Sequence, residues 1–177
     1  MKFFEAVHHR HSYRGAFSPE TLHQAELVEI VEAGLAAPSG KNCQTTQFVI
    51  IDDPEMITHI RGMHASNKAL QQAAAFIACI IDREPEKIYE GYSFQVEDCA
   101  AAVENMLLAV TAMGYGSVWI DGWLRIDGHA EEIGGLIALP DSKVIRVLLP
   151  VGIPAETYHG PKKKPFEERA WFNTYKG

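Results

Sequence analysis

Two stretches of the sequence carry side chains suited to holding an anion. Residues Arg10–Arg14 (RHSYR) place two guanidinium groups and a hydroxyl directly after a short predicted helix. Guanidinium groups donate paired, charge-assisted hydrogen bonds and the hydroxyl adds a neutral donor, so together they suit a phosphate group. Near the C-terminus, Lys162–Lys164 form a second basic stretch, placed to fold back on a bound phosphate. A solvated basic turn and a solvated charge run are the alternatives.

Two further segments offer groups for a flat polar ligand. The loop Ala37–Gln44 (APSGKNCQ) carries amides that both donate and accept, which suits the alternating polar edge of a heterocycle. A plain polar turn that ends a helix is the alternative. The segment Trp119–Trp123 (WIDGW) places a glycine-bearing turn after a strand, where backbone N–H groups are able to face a ligand. Its tryptophans fit core packing as well as a cofactor wall.

Motifs for other chemistries fail on spacing. A phosphate-binding loop of the G-x-x-x-x-G-K-[ST] type needs glycine where Leu35 stands and serine or threonine where Asn42 stands. No G-x-G-x-x-G, H-E-x-x-H or G-x-S-x-G motif occurs. The cluster His8–His11 occupies too little of a helix to bring three side chains to one metal ion. We therefore predict no metal site.

Composition narrows the function classes. The 177 residues are 47% hydrophobic and 22% charged, which is typical of a soluble globular protein, and we predict one domain over residues 1–177. A net charge of −7 argues against nucleic-acid or anionic-membrane partners. Three cysteines without C-x-x-C spacing indicate neither a zinc site nor a disulfide framework. With no signal-like or membrane-length apolar run, these features predict a cytoplasmic protein.

The elements that must position these groups can be read from apolar patterning. Ser18-Pro19 predicts the start of a helix that continues to Leu35, and Asp53-Pro54 predicts the start of another that continues to about Arg61. The predicted strands are Phe48–Ile51, Ala75–Ile81, Ser117–Ile120 and Lys143–Leu149. Gln95–Met113 predicts a long helix that is apolar on nearly every side, which must be buried all round. Because one small domain has too little chain to cover it, we expect a homodimer built on this helix.

Taken in order, these segments resemble the nitroreductase superfamily of homodimeric flavin-dependent oxidoreductases. The order is RHSYR, APSGKNCQ, EDCAAAVENMLLAV, GYGSVWIDG, VGIP and KKKPFEE. The resemblance extends from Met1 to about Trp171. It implies an α+β fold, a three-layer sandwich in which helices flank a mixed, mainly antiparallel sheet. It also implies a dimer with two FMN sites at the interface, each taking residues from both subunits.

The resemblance assigns roles to individual residues. The residues implied to bind FMN are Arg10, His11, Ser12, Arg14, Pro38, Ser39, Gly40, Asn42, Asp121, Gly122, Lys162 and Lys163. Arg10, Ser12 and Arg14 serve the phosphate and the polar edge of the ring, with His11 beside them. Lys163 stands where the family usually has arginine on the phosphate, and Lys162 is a weaker candidate for the same role. The loop Pro38–Asn42 reaches across from the partner subunit, and the Asp121-Gly122 backbone faces flavin N5. One departure is Thr45-Thr46, where the family often has Pro-Trp.

The implied activity is a ping-pong hydride transfer from NAD(P)H through FMN to a small acceptor, such as a nitroaromatic or a quinone. No side chain is predicted as a catalytic acid or base. Two alternatives remain: a non-catalytic flavin-binding sensor or FMN reservoir, and a scaffold that has lost flavin. The segment Arg83–Phe94, where the resemblance places the acceptor pocket, carries no readable code for the acceptor. No 2′-phosphate motif separates NADPH from NADH.

Overall fold

The computed structural model describes residues 1–64 and 66–177. The helices are α1 (Phe3–His9), α2 (Gln24–Leu35), α3 (Pro54–Gly62), α4 (Lys68–Gln72), α5 (Gln95–Ala112) and α6 (His129–Leu136), and the strands are β1 (Gln47–Ile51), β2 (Ala75–Asp82), β3 (Gly116–Ser117) and β4 (Lys143–Gly152). Short 3₁₀ turns cover Gly40–Asn42, Gly122–Arg125 and Phe166–Glu168. The two central strands, β2 and β4, are the longest of these four, and their residues are almost all buried.

The four strands form one sheet in the order β1-β2-β4-β3. Every pairing within the described residues is antiparallel. Ile50 lies opposite Ile77, and Ala78 lies opposite Leu148, so the apolar runs of neighbouring strands meet at the centre of the sheet. The α+β class and the dominance of antiparallel pairing are therefore confirmed.

Side chains of β2 alternate between the two faces of the sheet. Phe76 and Ala78 pack with α3, α4 and α6, whereas Ile77 and Cys79 pack with α2 and α5. A strand that is buried on both faces needs apolar residues at consecutive positions, which explains the unbroken apolar run. The result is a sheet between two helical layers, which confirms the predicted three-layer sandwich.

Helix α5 follows its predicted bounds but is not buried all round in one chain. Val103 and Met106 are fully buried against the sheet. On other sides Val96 is 45% exposed, and Glu104 also faces solvent. One chain therefore covers only part of this helix, as expected from the sequence, and burial of the remaining part by a second copy stays a prediction.

Two Xaa-Pro starts predicted from sequence have different outcomes. Asp53 caps α3, its carboxylate accepting the backbone N–H groups of Glu55 and Met56 at 3.0 Å each. Ser18, however, opens no helix, and α2 begins only at Gln24. Its N–H donates to the carbonyl of Ile153 at 2.8 Å, which holds this stretch of chain extended beside the end of β4. Tertiary pairing thus overrides a local helix signal.

The strand predicted over Ser117–Ile120 is shorter than expected. Strand β3 covers only Gly116–Ser117, after which Ile120 makes an isolated bridge to Leu148. Of the tryptophans on either side, Trp119 packs against the α2/α5 side of the sheet and Trp123 against the opposite side. The chain therefore crosses the edge of the sheet here, which interrupts the ladder.

Candidate functional site

A strand-like pairing outside the main sheet brings the two ends of the chain together. Ser18 N–H donates to Ile153 O at 2.8 Å, Ala155 N–H donates to Ala16 O at 2.9 Å, and Phe17 bridges to Pro154. Because the two segments run antiparallel, the residues that precede Ala16 lie beside the residues that follow Ala155. Arg10–Arg14 and the basic tail are consequently neighbours.

Two aromatic rings anchor the N-terminal segment. Phe17 stacks on Tyr13 with ring centroids 5.1 Å apart, and both side chains are buried. Burial raises the pKa of Tyr13 above its ordinary value, and its hydroxyl donates to Ala16 O at 2.5 Å. The rings fit because β3 and β4 supply glycines: a Cβ at Gly152 would lie 2.6 Å from the Phe17 ring, and one at Gly116 would lie 2.8 Å from it.

A basic pocket of about 470 Å³ lies where the two ends meet. The residues lining it are His8, His9, Arg10, His11, Ser12, Arg14, Thr157, Tyr158, His159, Gly160, Pro161 and Lys163. The structure thus brings Lys163 to the same pocket as the RHSYR stretch, across about 150 residues of sequence. The two lysines beside it differ: Lys162 does not line the pocket, and Lys164 pairs with Glu168 at 3.2 Å.

Arg10 is held by a carboxylate on α5. Its Nε lies 3.0 Å from Glu104 Oε1, and the two side chains are 20% and 49% exposed. This contact uses the Nε side of the guanidinium, so the terminal nitrogens stay available as paired donors to an anion. Glu104 was missed at the sequence level because no local pattern links it to a residue 94 positions away.

His11 fills the wall between the N-terminal segment and the tail. Its Nδ1 lies 2.7 Å from the carbonyl oxygen of His9, which can only accept, so Nδ1 is the donor in this contact. Nε2 is buried without a partner among the described residues. The ring stacks on Tyr158 at 5.9 Å, and a Cβ at Gly160 would lie 2.6 Å from His11 Cβ. His11 therefore fixes how closely the tail approaches.

The loop predicted to contact a ring lies away from this pocket. Pro38 and Ser39 line a separate recess of about 120 Å³, which is shared with Asp98. Three non-glycine residues of the loop have positive φ, namely Lys41 at 48°, Asn42 at 56° and Gln44 at 50°. Such conformations cost about 1–2 kcal/mol each for an ordinary L-residue, less for asparagine. Strain of this kind persists where the surroundings impose it and is concentrated at functional sites.

Gly40 is required by a close approach rather than by its φ angle. A Cβ at this position would lie 2.6 Å from the ring of Phe94 and 3.1 Å from Ile88. The segment Arg83–Phe94 is therefore packed directly against the loop. Tyr89 of this segment also lies under Lys41, whose Nζ is 5.0 Å from the ring centroid.

The Asp121-Gly122 turn follows the bridge at Ile120. Asp121 accepts from Arg146 at 2.5 Å and from Arg125 at 2.6 Å, so its carboxylate is engaged by two cations. Gly122 is open: apart from its chain neighbours and the backbone of its own turn, no heavy atom of residues 1–64 and 66–177 lies within 4 Å of a Cβ built there. The side chain of Asp121 thus fixes the turn, and the backbone at Gly122 is accessible. This turn does not line the basic pocket of the same chain.

Two negative observations concern the described residues alone. No helix there is both long and apolar enough to cross a membrane. No group of three or more His, Cys, Asp or Glu side chains in residues 1–64 and 66–177 is arranged to hold a metal ion.

An antiparallel sheet between two helical layers, with a basic pocket where the two ends of the chain meet, defines an α+β protein whose pocket carries donor groups suited to a phosphate. The chain belongs to the Nitroreductase family, whose model matches residues 7–87 and 58–153. This result confirms the family that the sequence motifs indicated.

Individual relatives agree with this assignment. A protein of Archaeoglobus fulgidus, provisionally named NADH dehydrogenase/NAD(P)H nitroreductase, is 28% identical over 150 residues, covering 85% of this chain and 84% of the relative. An "NADPH-dependent oxidoreductase" of Staphylococcus haemolyticus is 26% identical and covers 97% of this chain and 73% of its own. The names of these relatives agree with the sequence-based prediction of an oxidoreductase.

Solved structures of similar chains have the same fold. A structure from Bacteroides thetaiotaomicron, again provisionally named NADH dehydrogenase/NAD(P)H nitroreductase, superposes with a TM-score of 0.80 at 27% identity and covers 97% of each chain. A provisionally named nitroreductase of Desulfovibrio desulfuricans, solved in complex with FMN, gives a TM-score of 0.77 at 26% identity and covers 99% of each chain.

Proposed function

We propose that this chain is an FMN-dependent oxidoreductase that uses NAD(P)H to reduce a small electron acceptor. The observation that carries the proposal is the convergence of Arg10, Arg14 and Lys163 on one pocket in an acidic protein. Three cations and the Ser12 hydroxyl are the donor set that a phosphate monoester needs. A pocket of about 470 Å³ is also within the usual size range of small-ligand sites.

The pocket fits the phosphate end of FMN, and other predicted residues serve its ring. Within one chain, the loop Pro38–Asn42 and the Asp121-Gly122 turn do not line the pocket. We propose that the loop comes from a second copy of the chain, so that each flavin site is completed across a dimer interface. In that arrangement the whole chain, residues 1–177, acts as one FMN-binding domain.

When bound, FMN supplies the hydride-transfer chemistry, by which NAD(P)H reduces an acceptor in a ping-pong cycle. The chain's own residues bind and orient this cofactor. Arg10, Arg14 and Lys163 anchor the phosphate, and amide groups of the loop meet the polar edge of the ring. The backbone N–H at Gly122 provides an open donor for a ring nitrogen. No side chain is assigned as acid or base, and such a cycle can take its protons from solvent.

The acceptor is expected to be a nitroaromatic, a quinone or a related small molecule. The relatives named NAD(P)H nitroreductase and NADPH-dependent oxidoreductase support this class. The segment Arg83–Phe94 packs against the loop through Ile88 and Phe94, so it borders the place where an acceptor would enter. A flavin sensor or FMN reservoir is the alternative that keeps the same pocket but performs no turnover.

The proposal is tested on the purified full-length protein. We expect flavin absorbance bands on purification and steady-state oxidation of NADH or NADPH in the presence of a quinone or a nitroaromatic. Bound flavin without NAD(P)H oxidation by any acceptor in the screen would favour the sensor or reservoir. A protein that neither retains nor rebinds FMN would contradict both.

We predict that the protein is a homodimer in solution. On α1 and α5, the apolar side chains that a single chain leaves exposed include Phe3, Phe4 and Val96. Covering such a surface stabilises association by the hydrophobic effect. Light scattering at micromolar concentration should therefore give about twice the chain mass of 19.7 kDa. A stable monomer loaded with flavin would contradict both the dimer and the shared site.

We predict a smaller, salt-dependent contribution from Lys163. Replacing Lys163 by alanine should weaken FMN binding by about 1 kcal/mol, because the side chain is exposed and its ion pair is partly screened. Added salt should narrow the difference from wild type. Lys163→Arg should retain or tighten binding, since the planar fork donates two hydrogen bonds.

Titration of the apoprotein with FMN at low and moderate salt measures these effects. Lys162→Ala is the matched control, because Lys162 is adjacent in sequence but does not line the pocket. If Lys163→Ala binds FMN like wild type at low salt, the tail lysine takes no part in the phosphate site.

A further inference from the structure

A buried carboxylate on α5 accepts hydrogen bonds from residues at both ends of the Ser39–Gln44 loop. Asp98 is only 7% exposed. Its Oδ1 accepts the backbone N–H of Gly40 at 2.8 Å, and its Oδ2 accepts the hydroxyl of Thr45 at 3.1 Å. Gly40 is the second residue of the loop and Thr45 directly follows it, so one side chain fixes the backbone between these two residues.

The loop has little reason to adopt this shape by itself. Lys41, Asn42 and Gln44 all have positive φ, which side chains other than glycine adopt at a cost. Hydrogen bonds within the loop, such as Gln44 N–H to Ser39 Oγ at 3.0 Å, are local and close a turn without placing it on the protein. Asp98 supplies the buried link to a long helix, which is rigid. The strained backbone is therefore held from outside.

Thr45 supplies the second hydrogen bond that holds the loop to α5. Its hydroxyl is the donor to Asp98 Oδ2, so the link depends on this side chain and not on the backbone alone. Asp98 and Thr45 thus act together, because the Thr45 hydroxyl donates the second hydrogen bond to the Asp98 carboxylate.

We propose that Asp98, together with Thr45, is a positioning residue that sets the geometry with which Gly40 and Asn42 meet the flavin ring. This inference rests on the proposed function, because it assumes that the loop contacts flavin. Neither side chain touches the ligand itself. They act through the loop, so their loss lowers affinity for the ring and leaves the phosphate pocket unchanged.

Riboflavin, which has the ring but no phosphate, distinguishes residues that act on the ring from residues that bind the phosphate. We expect Asp98→Ala to weaken binding of FMN and of riboflavin by the same factor, about 10- to 100-fold, as for the loss of hydrogen bonds to a charged group. Arg14→Ala should weaken binding of FMN alone. A general loss of stability would not produce this contrast when both ligands are titrated well below the melting temperature.

Graded variants sharpen the test. Asp98→Asn should recover most of the affinity, because its oxygen still accepts from Gly40 while the Thr45 hydroxyl can accept from its amide. Thr45→Val removes one hydrogen bond and should cost about 3- to 10-fold for both flavins. Adding Thr45→Val to Asp98→Asn should remove the part of the recovery that depends on the Thr45 hydroxyl and keep the part that depends on Gly40. Glu97→Gln is the matched control, since it neutralises an exposed carboxylate in the same helical turn.

Fluorescence titration of the full-length apoprotein with each flavin measures these affinities. If wild type binds both flavins while Thr45→Val and the double variant bind them equally well, the positioning role is wrong. These two variants decide the question even if Asp98→Ala does not fold. If wild type binds neither flavin, the proposed function fails first, and the inference fails with it.

Discussion

Replacing Arg10 or Arg14 by alanine is expected to weaken FMN binding by about 1.5–3 kcal/mol each, the cost of losing a charge-assisted hydrogen bond to phosphate. Both side chains line the basic pocket beside Lys163. Arg10 should give the larger loss, because it is only 20% exposed and Glu104 already orients it. Arg14 is exposed and more strongly screened, so its contribution should fall more steeply as salt is added.

Flavin retention after dialysis and titration of the apoprotein with FMN both measure this effect. Arg169→Ala is the matched control, since it removes the same charge from the tail outside the pocket. Riboflavin should bind the arginine variants and wild type alike. Retention of FMN at the wild-type level in both variants would remove the RHSYR stretch from the phosphate site and leave the pocket without its assigned ligand.

Replacing Phe17 by alanine is expected to lower the free energy of unfolding by about 3–5 kcal/mol, as for other buried aromatic residues. The side chain is 5% exposed, stacks on Tyr13 and fills the space over Gly116 and Gly152. Since domains of this size have only about 5–15 kcal/mol of stability, the change is a large fraction of the total. The variant should also bind FMN more weakly, because Phe17 holds the segment that presents Arg14.

Urea denaturation of both proteins at equal concentration gives the difference. Phe172→Ala is the matched control: this ring is 81% exposed, and its removal should change the stability of the folded chain by no more than about 0.5 kcal/mol. Gly152→Ala tests the same contact from the other side. A methyl group there would lie 2.6 Å from the Phe17 ring, so overpacking should cost about 1–3 kcal/mol. A Phe17→Ala protein as stable as wild type would show that the rings do not anchor this segment.

The apolar patterns in the sequence were sufficient to predict the longest helix and one of the two central strands. Helix α5 was predicted as Gln95–Met113 and observed as Gln95–Ala112. The strand predicted over Ala75–Ile81 was observed as Ala75–Asp82. Both carry long apolar runs, and burying such a run leaves the chain few conformations to choose from. The order of the six weak motifs likewise sufficed to predict the family, because their joint spacing is far more restrictive than any one of them.

Short signals were reliable only where no distant contact competed with them. Asp53-Pro54 opens a helix because its cap is satisfied within three residues. Ser18-Pro19 carries an equivalent signal, yet its backbone is used in pairing with Ile153. A cap stabilises a helix by about 1 kcal/mol, which such a pairing and the burial of Phe17 together outweigh.

The candidate site was decided mainly by tertiary structure. The sequence by itself determined which side chains are present: guanidinium groups near one end, lysines near the other, and amides in a loop. That Lys163 joins Arg14, that Glu104 orients Arg10, and that Asp98 holds Gly40 depend on contacts between residues 58 to about 150 positions apart. Local propensity extends over only a few residues, whereas these contacts arise when helical layers close on the sheet and the ends of the chain pair beside it.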